Sequence, residues 1–288
     1  MRAVTCVPRV WRVSWGTLKS FIRLAVAAIL LVSALPAADA SQAGGLYLQV
    51  KGFNWKEYDG SDQLLEETGP LFGLGLRLDP NPVKLSAQGR IEAYFGQVDY
   101  DGQTFDGVPV EDETAYVGVI GDLDASLPAW VDATKSRSIL LFAGGGAHTW
   151  QRDLGQENED LGYTEEWIML YARAGGGFYL SETGTVKAFV AAGVKVPVYT
   201  SNSVTVDDGF DSQDVTLEPK GQPGPFVEAG WRWKKYFVNA FYEYIQMDES
   251  DPETIDVTIP GLAGTVPFTL FQPESDVHTF GVNAGLYF

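Results

Sequence analysis

The sequence predicts an all-β protein, a transmembrane antiparallel up-and-down β-barrel of ten strands with long acidic extracellular loops. Three observations lead to this fold class. Apolar and polar residues alternate with period two over segments of twelve or more residues, whereas strands of water-soluble proteins usually run five or six residues. No segment after residue 35 approaches the roughly 18 unbroken apolar residues that a spanning helix needs. Short and long connections alternate along the chain, which is typical of strands that cross a membrane and return.

The first forty residues are predicted to be a cleaved signal peptide. Basic residues precede an uncharged apolar run at 24–35, and Ala38-Asp39-Ala40 places small residues at both positions that a signal peptidase reads. Twelve apolar residues are too few to cross a bilayer as a helix. We therefore expect residues 1–40 to be removed and residues 41–288 to form the barrel. The only cysteine, Cys6, lies in the removed segment, so the sequence predicts no disulfide framework.

The predicted mature chain is strongly acidic. The whole chain carries 38 acidic and 20 basic residues, a net charge of −18. Removal of the first forty residues takes away five basic residues and one acidic residue, which leaves a net charge of −22. Such a chain would be repelled by phosphate backbones, and this argues against a nucleic-acid partner.

Period-two alternation gives each predicted strand two unlike faces. From Val83 onward the odd positions are apolar or small, while the even positions carry Lys84, Arg90 and Glu92. The segments 115–127 and 186–198 alternate in the same way. A charge facing lipid costs roughly 2–4 kcal/mol at the middle of the bilayer, and unpaired backbone groups are so costly there that the sheet must close. The uncharged faces are therefore predicted to face lipid, and the charged faces the lumen.

Ten segments are predicted to be strands, an even number that returns the chain to the periplasmic side. They lie at about 46–58, 70–78, 83–98, 114–127, 138–152, 166–180, 186–199, 224–233, 236–247 and 277–288. The predicted outer loops cover about 59–69, 99–113, 153–165, 200–223 and 248–276. An eight-stranded barrel stays open as an alternative if the first two segments fold differently.

The last predicted strand carries the most specific signal, because apolar residues alternate on one face and the final residue is aromatic. These residues are Phe280, Val282, Ala284, Leu286 and Phe288. The pattern resembles the C-terminal assembly signal of bacterial outer-membrane β-barrel proteins, the small porin-like barrels among them. The resemblance implies residence in the outer membrane of a Gram-negative envelope and contact with lipid and lipopolysaccharide. It also implies recognition of the last strand by the barrel-insertion machinery.

Aromatic residues are expected to form a girdle at each membrane interface. The predicted periplasmic girdle contains Trp231, Trp233, Tyr236 and Phe288, and the predicted outer girdle contains Trp55, Trp167, Tyr242 and Tyr244.

Strand parity places a set of charged residues inside the lumen. Seven of them are expected near or around mid-height: Arg90, Glu92, Asp122, Arg173, Lys195, Glu228 and Glu243. Lys187 and Arg232 are expected lower down. A ten-stranded barrel is only slightly wider than the eight-stranded size that side chains can fill. The charges are therefore expected either to pair into a structural network that seals the core or to line a narrow water-filled constriction.

Two glycine runs, Gly144–Gly146 and Gly175–Gly177, lie on neighbouring predicted strands. Phosphate-binding glycine loops require a following helix, and neither run has one. The glycines are instead predicted to allow curvature, or to leave room for inward aromatic residues such as Phe142 and Tyr94.

The sequence offers weak support for catalysis, and no catalytic, cofactor-binding or metal-ligating residue is predicted. His148 has lumen parity, whereas His278 has lipid-facing parity near the outer rim, two residues after Asp276. The omptins, ten-stranded outer-membrane proteases, place a histidine and carboxylates at this rim. The chain is similar to them in strand number, but it lacks an acid pair beside an inward histidine, so no catalytic residue is carried over. Ser275 is the one serine close enough in sequence to His278 to suggest a lipid hydrolase.

Most acidic residues of the predicted mature chain lie in the long loops. Asp207-Asp208 with Asp211, and Glu111-Asp112-Glu113, could supply oxygen ligands for divalent cations, although neither cluster has the spacing of a calcium loop. The predicted function is a non-enzymatic outer-membrane barrel without a cofactor, acting as a narrow pore for small solutes or as a structural envelope protein. The alternatives are a surface adhesin or receptor acting through the acidic loops, and an omptin-like or lipid-modifying enzyme.

Overall fold

Strands account for nearly all of the chain that the structure describes. The structure is a computed structural model, and it describes residues 44–103, 109–154, 164–182, 185–207, 212–258 and 265–288. The predicted signal peptide therefore lies outside the described residues. Within the described ranges, no helix is long and apolar enough to cross a membrane.

Ten strands form a closed antiparallel barrel, which confirms the predicted fold class and strand number. They are β1 (Gly44–Asp59), β2 (Asp62–Leu78), β3 (Ser86–Gln103), β4 (Pro109–Val131), β5 (Arg137–Leu154), β6 (Thr164–Glu182), β7 (Thr185–Asp207), β10 (Gly224–Trp233), β11 (Tyr236–Met247) and β14 (Glu274–Tyr287). Four further strands belong to connections: β8 (Ser212–Leu217), β9 (Gly221–Gln222), β12 (Glu253–Thr258) and β13 (Thr265–Leu270).

Each barrel strand pairs with its neighbours in chain order, and β14 closes the ring by pairing with β1. This seam is continuous from Gly45 opposite Tyr287 to Tyr58 opposite Glu274. Because every barrel strand has two partners, the barrel leaves no sheet edge unpaired in the bilayer. The eight-stranded alternative is therefore wrong.

Two of the predicted outer loops are largely strand. β1 and β2 continue as a hairpin that turns at Gly60, whose φ of 59° is the left-handed conformation that glycine tolerates. β3 and β4 likewise stay paired as far as Gln103 opposite Pro109. The predicted β2, β3 and β4 stop short of these hairpin ends because polar residues replace apolar ones on the outward faces, although the backbone pairing continues.

We call the end with the short turns, Gly44 and Phe288 the turn end, and the opposite end the loop end. Outward side chains near the turn end are apolar and exposed, as at Leu48 and Val50 on β1. Farther along the same face they become polar, at Asn54 and Lys56. This change marks the limit of the lipid-facing belt, because charged side chains are costly in lipid.

The aromatic residues confirm the girdles only in part. Three rings near the turn end point outward and are about half exposed or more: Trp231, Trp233 and Tyr236. Trp55 and Trp167, predicted for the outer girdle, are instead fully buried in the lumen. They share strand parity with the inward-facing residues Phe53 and Arg173. Parity therefore gives their direction correctly, whereas their aromatic character suggested a place in the outer girdle.

Candidate functional site

The interior of the barrel is filled at two levels, which we define by their residues. The charge layer lies near mid-height and consists of Arg90, Asp122, Arg173, Lys195 and Glu243. The mouth plug lies toward the loop end and consists of Arg152, Glu57, Glu67, Glu165, Trp55, Trp150 and Trp167.

The charge layer joins residues from five strands into one network of ion pairs. Arg90 Nε and Arg173 Nη1 each lie 2.7 Å from Asp122 Oδ2. Glu243 accepts hydrogen bonds from Arg90 and, at 2.8 Å, from Lys195 Nζ. All five side chains are largely or fully buried, so each charge depends on its partners in place of water.

The other two carboxylates predicted for the lumen belong to separate clusters. Glu92 accepts hydrogen bonds from Lys51 Nζ at 3.2 Å and Gln49 Nε2 at 2.6 Å. Glu228, nearer the turn end, accepts one from Arg77 Nη1 at 3.0 Å. Of the two basic residues expected lower down, Lys187 pairs with Glu182 and Arg232 lies over the Tyr287 ring.

Inward-facing glycines let side chains two strands apart meet across the strand between them. Asp122 on β4, Gly146 on β5 and Tyr171 on β6 lie opposite one another in register, and the Tyr171 hydroxyl reaches over the glycine to Asp122. A Cβ on Gly146 would lie 2.6 Å from the Tyr171 hydroxyl oxygen. The glycine is therefore required by this close approach.

The same arrangement recurs at Gly75, over which Tyr47 reaches Glu92, and at Gly118, over which Tyr94 reaches His148. The prediction that glycine runs make room for aromatic rings is confirmed for Phe142, which lies over Gly175. Tyr94 lies over Gly118, which belongs to neither run.

The charge layer separates two cavities. A cavity extends from the layer toward the turn end and is lined by Arg77, Tyr179 and Phe226 among others. A second, smaller cavity lies between the layer and the mouth plug and is lined by Lys51 and His148 among others. Arg90 and Glu243 line both cavities, and they form the partition between them.

The mouth plug is built around the fully buried Arg152 on β5. Its guanidinium donates to Glu67 Oε1 from Nη2 at 3.0 Å, and its Nη1 donates to Glu57 Oε1 at 3.2 Å and Glu165 Oε2 at 3.0 Å. Carboxylates from β1, β2 and β6 thus converge on one cation. Together they raise the pKa of Arg152 well above its ordinary value, so the guanidinium stays charged.

Aromatic rings complete the plug. The Trp150 and Trp167 rings are stacked with centroids 5.1 Å apart, and Trp55 meets Trp167 edge to face at 5.3 Å. The indole nitrogens of Trp55 and Trp167 donate to Glu57 at 3.0 Å and to Glu165 at 2.8 Å. The rings therefore fill the lumen and also satisfy carboxylate oxygens that are cut off from water.

The mouth plug was not predicted from the sequence, for an identifiable reason. Glu67 and Glu165 fall in the predicted outer loops 59–69 and 153–165. The signal was present on β6, where Glu165 continues the inward parity of Trp167. Extending the strands by parity beyond the apolar segments would have directed both carboxylates inward.

The two histidines lie in separate environments. His148 Nε2 is 2.7 Å from the Tyr94 hydroxyl inside the lumen, and its ring contacts the Trp150 ring in a tilted arrangement, with centroids 4.4 Å apart. His278 points outward, as predicted, with its Nδ1 2.9 Å from the Tyr242 hydroxyl. Ser275 is fully buried on the opposite face of β14, so it cannot form a serine–histidine pair with His278.

Of the two acidic clusters, the structure describes only the one on β4, and the fold does not arrange it as a metal site. Glu111, Asp112 and Glu113 are consecutive on β4, so the middle side chain points to the opposite face from its neighbours. In the part of the chain that the structure describes, no group of three or more His, Cys, Asp or Glu residues is arranged to hold a metal ion. The side chain of Asp207 and the residues Asp208 and Asp211 lie outside the described part.

The five residues of the predicted assembly signal lie along the lipid-facing side of β14 and at its end. Phe280, Val282 and Leu286 are about half exposed, and Phe288 is 84% exposed. The Phe288 ring lies over Gly44 at the start of β1. Recognition of this face by the insertion machinery stays a prediction.

Comparisons with known proteins identify solved structures of similar fold. No family model matches the chain, and no curated protein sequence matches it. Among solved structures, the outer-membrane protease OmpT of Escherichia coli is similar with a TM-score of 0.51 and 12% identity, over 88% of this chain and 97% of that chain.

Two further similar structures are also outer-membrane proteins. The translocator domain of the autotransporter NalP from Neisseria meningitidis gives a TM-score of 0.38 and 8% identity, over 95% of this chain and 98% of that chain. An outer-membrane channel of Pseudomonas putida F1 gives 0.36 and 10% identity, over 88% and 97%. At these identities the likeness concerns the fold alone. The chain therefore has the fold of a closed ten-stranded antiparallel β-barrel, similar to that of the outer-membrane protease.

Proposed function

We propose that the protein is a non-enzymatic structural barrel of the outer membrane whose own side chains close the lumen. The observation that carries this proposal is the presence of two successive closures, the charge layer and the mouth plug. A solute crossing the barrel would have to displace both.

The charge layer favours closure over conduction because its charges satisfy one another. Asp122 is shared by Arg90 and Arg173, and Glu243 is shared by Arg90 and Lys195. Separating such buried partners costs about 3–5 kcal/mol. Thermal opening of the layer would therefore be rare.

The surroundings of the histidines support the non-enzymatic part of the proposal. A serine hydrolase needs a nucleophile within hydrogen-bond reach of its base, and the hydrogen-bond partners of His148 and His278 are tyrosine hydroxyls. Asp276 also lies on the outward face, where it accepts a hydrogen bond from Tyr244. A rim cluster of inward carboxylates around a histidine does not arise from these residues.

Single-channel conductance of the refolded mature protein in a planar bilayer tests the proposal. We expect no discrete current steps from wild-type protein whose insertion has been verified by its heat-dependent mobility on gels. Regular steps that change size in Arg90→Ala or Arg173→Ala would overturn the proposal and establish a narrow pore bounded by the charge layer.

A variant with both closures removed serves as the positive control. Arg90→Ala combined with Trp167→Gly removes one side chain from the charge layer and one from the mouth plug. We expect this variant to give discrete current steps under the conditions in which the wild type gives none. The matched control is Phe95→Ala on the lipid-facing side of β3, which should remain silent because it leaves both closures intact.

A further inference from the structure

The wall of the barrel is interrupted along one side of β7. This strand pairs with β10 as far as Lys195 and with β8 from Asn202 onward. Between the two ladders, residues 196–201 lie opposite residues 218–223. In the described part of the chain no ladder joins these two segments, because β9 within the second segment pairs with β11 instead. We call the line between the two segments the seam.

The sequence of the seam explains why the ladder is missing. Pro197, Pro219 and Pro223 have no backbone N–H to donate, and prolines in sheets are confined to edges and bulges. β7 also has a bulge at Val198, where its register with β6 shifts. Each of these features removes regular pairing between the two segments.

Side-chain contact closes the seam. The Cβ position of Gly221 lies 3.4 Å from Thr200 Oγ1 and touches the Pro197 ring, so only glycine fits there. On its other side the segment is hydrogen-bonded, since Asp248 N donates to Lys220 O at 2.8 Å. Residues 218–223 are thus fastened to β11 by hydrogen bonds and to β7 by packing.

The outer side of the seam faces lipid. Val198 is 68% exposed and Val196 38%, and their neighbours Ile168 and Leu170 on β6 are also apolar and exposed. The seam therefore lies inside the lipid-facing belt, near its margin at the loop end. Irregular backbone at this depth is tolerated only where protein covers it or where it borders a cavity.

The inner side of the seam borders the cavity between the charge layer and the mouth plug, which we call the upper cavity. Met247 is fully buried, pairs with Gly221 across the sheet and lines the upper cavity. The cavity wall next to it is apolar and includes Phe241, Ile245 and Val277. Because a methionine side chain adapts its shape easily, this wall can yield to a molecule that enters beside it.

The upper cavity is closed in the two axial directions. Arg90 and Glu243 separate it from the cavity at the turn end. Toward the loop end the mouth plug covers it, and Gln272 Nε2 holds the plug from above by donating to Glu57 Oε1 at 3.1 Å. The seam is therefore the part of its surroundings that is held by packing alone.

Two polar atoms at the upper cavity have no hydrogen-bond partner among the described residues. They are Trp150 Nε1, a donor, and Gln49 Oε1, an acceptor. Both side chains line the cavity and are 3% exposed. Buried polar groups are normally hydrogen-bonded, so the free indole N–H points to an acceptor that a bound molecule brings with it.

We propose that the seam is a lateral entrance through which an apolar molecule with one hydrogen-bond acceptor, such as a medium-chain ketone or ester, passes from the lipid into the upper cavity and binds there. The apolar part contacts the wall around Met247, and the acceptor receives the Trp150 N–H. Since the charge layer and the mouth plug stay in place, this binding goes beyond the closed structural barrel and does not require a pore along its axis.

Photolabelling of the refolded mature barrel in lipid vesicles tests the entrance. The probe is methyl pentyl diazirine, the photoreactive analogue of methyl pentyl ketone, and mass spectrometry locates the labelled residues. We expect labels on the inward residues Ile245 and Met247 in addition to outward residues that face lipid. Wild-type protein without inward labels would overturn the proposal, and this measurement requires no variant to fold.

A charged probe separates the lateral route from the mouth. The same diazirine with a terminal trimethylammonium group is attracted by the surplus acid of the mouth plug and is excluded from lipid. It should leave Ile245 and Met247 unlabelled. Inward labelling by the charged probe equal to that by the apolar probe would show entry from the mouth and overturn the proposal.

A glycine substitution tests the seam itself. Gly221→Ala places a Cβ against the Pro197 ring and pushes the two segments apart, so inward labelling by methyl pentyl diazirine should rise several-fold. The matched control is Gly177→Ala, whose Cβ would lie 2.9 Å from that of Ala191, in a part of the wall where the ladder is complete. An equal rise in the two variants, or none in Gly221→Ala, would contradict the assignment of the seam.

Competition tests the role of the indole N–H. Methyl pentyl ketone should suppress inward labelling more strongly than the alkene of the same shape, in which a methylene group replaces the carbonyl oxygen. In Trp150→Phe, which has no N–H, the ketone and the alkene should compete equally. Equal competition in the wild type would overturn the requirement for an acceptor.

Discussion

The charge layer and the mouth plug occupy the same lumen with opposite charge balances. In the charge layer three cations pair with the two carboxylates Asp122 and Glu243, which leaves a surplus of one positive charge. Asp124, which lies 3.5 Å from Arg173, offsets this surplus. In the mouth plug one cation pairs with three carboxylates, which leaves surplus acid.

The surroundings of each level explain this difference. The charge layer is encircled by lipid-facing positions such as Leu123, so its charges are compensated mainly by one another. The plug lies where the outward neighbours, such as Lys56 and Glu66, are polar. The barrel therefore places balanced charge pairing at membrane depth and surplus acid outside it.

Arg152→Met should have the largest effect on stability. It removes the one cation of the plug and leaves three carboxylates buried without a counter-charge, so we expect a loss of about 3–5 kcal/mol in the free energy of unfolding. Urea titration of the protein refolded in phospholipid vesicles measures this loss. The exposed cation Lys187 provides the control, since Lys187→Met should change stability little. A loss below about 1 kcal/mol for Arg152→Met would mean that the carboxylates are mostly protonated.

Asp122→Asn should cost less, about 2–3 kcal/mol, because each arginine that loses Asp122 retains another partner. Arg90 keeps Glu243, and Arg173 keeps Asp124. The same urea titration applies, with Asp99→Asn at an exposed position of β3 as the control. If Asp122→Asn cost as much as Arg152→Met, the remaining partners Glu243 and Asp124 would not compensate the two arginines for the loss of Asp122.

Gly146→Ala tests the reach of Tyr171 over the glycine, with an expected loss of about 1–3 kcal/mol from overpacking. Its Cβ would lie 2.4 Å from the Gly121 carbonyl oxygen as well as close to Tyr171. Gly121→Ala is the matched control, since its Cβ has its nearest neighbour at 4.0 Å. Equal effects of the two substitutions would show that backbone propensity, and not the crossing contact, decides the outcome.

Tyr94→Phe should have the smallest effect, about 1 kcal/mol, because it deletes one hydrogen bond to His148 and keeps the ring over Gly118. Urea titration again measures the loss. His148→Phe removes the same hydrogen bond from the other side, and the two substitutions together should cost less than the sum of the separate effects.

Strand parity explains why the fold was accessible from the sequence and the mouth plug was not. Alternation identified the ten strands and gave inward directions to residues such as Arg90 and Glu243, because period two fixes the face of each side chain. It could not extend β2 back to Glu67, where the outward positions also become polar and the contrast between faces disappears. Nor could it give register, which decides that Arg152 meets residues from three other strands.

The hydrogen bond between Gln272 and Glu57 also bears on the order in which the barrel can be assembled. Gln272 and Glu57 are separated by 215 residues along the chain, and Arg152 and Glu57 by 95. Contacts between such distant residues form only after the intervening strands are in place, since long loops are entropically costly to close. Glu57 on β1 therefore acquires all of its partners only after the end of the chain has reached the barrel. A chain that lacked the segment from Gln272 onward would leave Glu57 without this contact, so the contact reports whether the circle of strands has been completed.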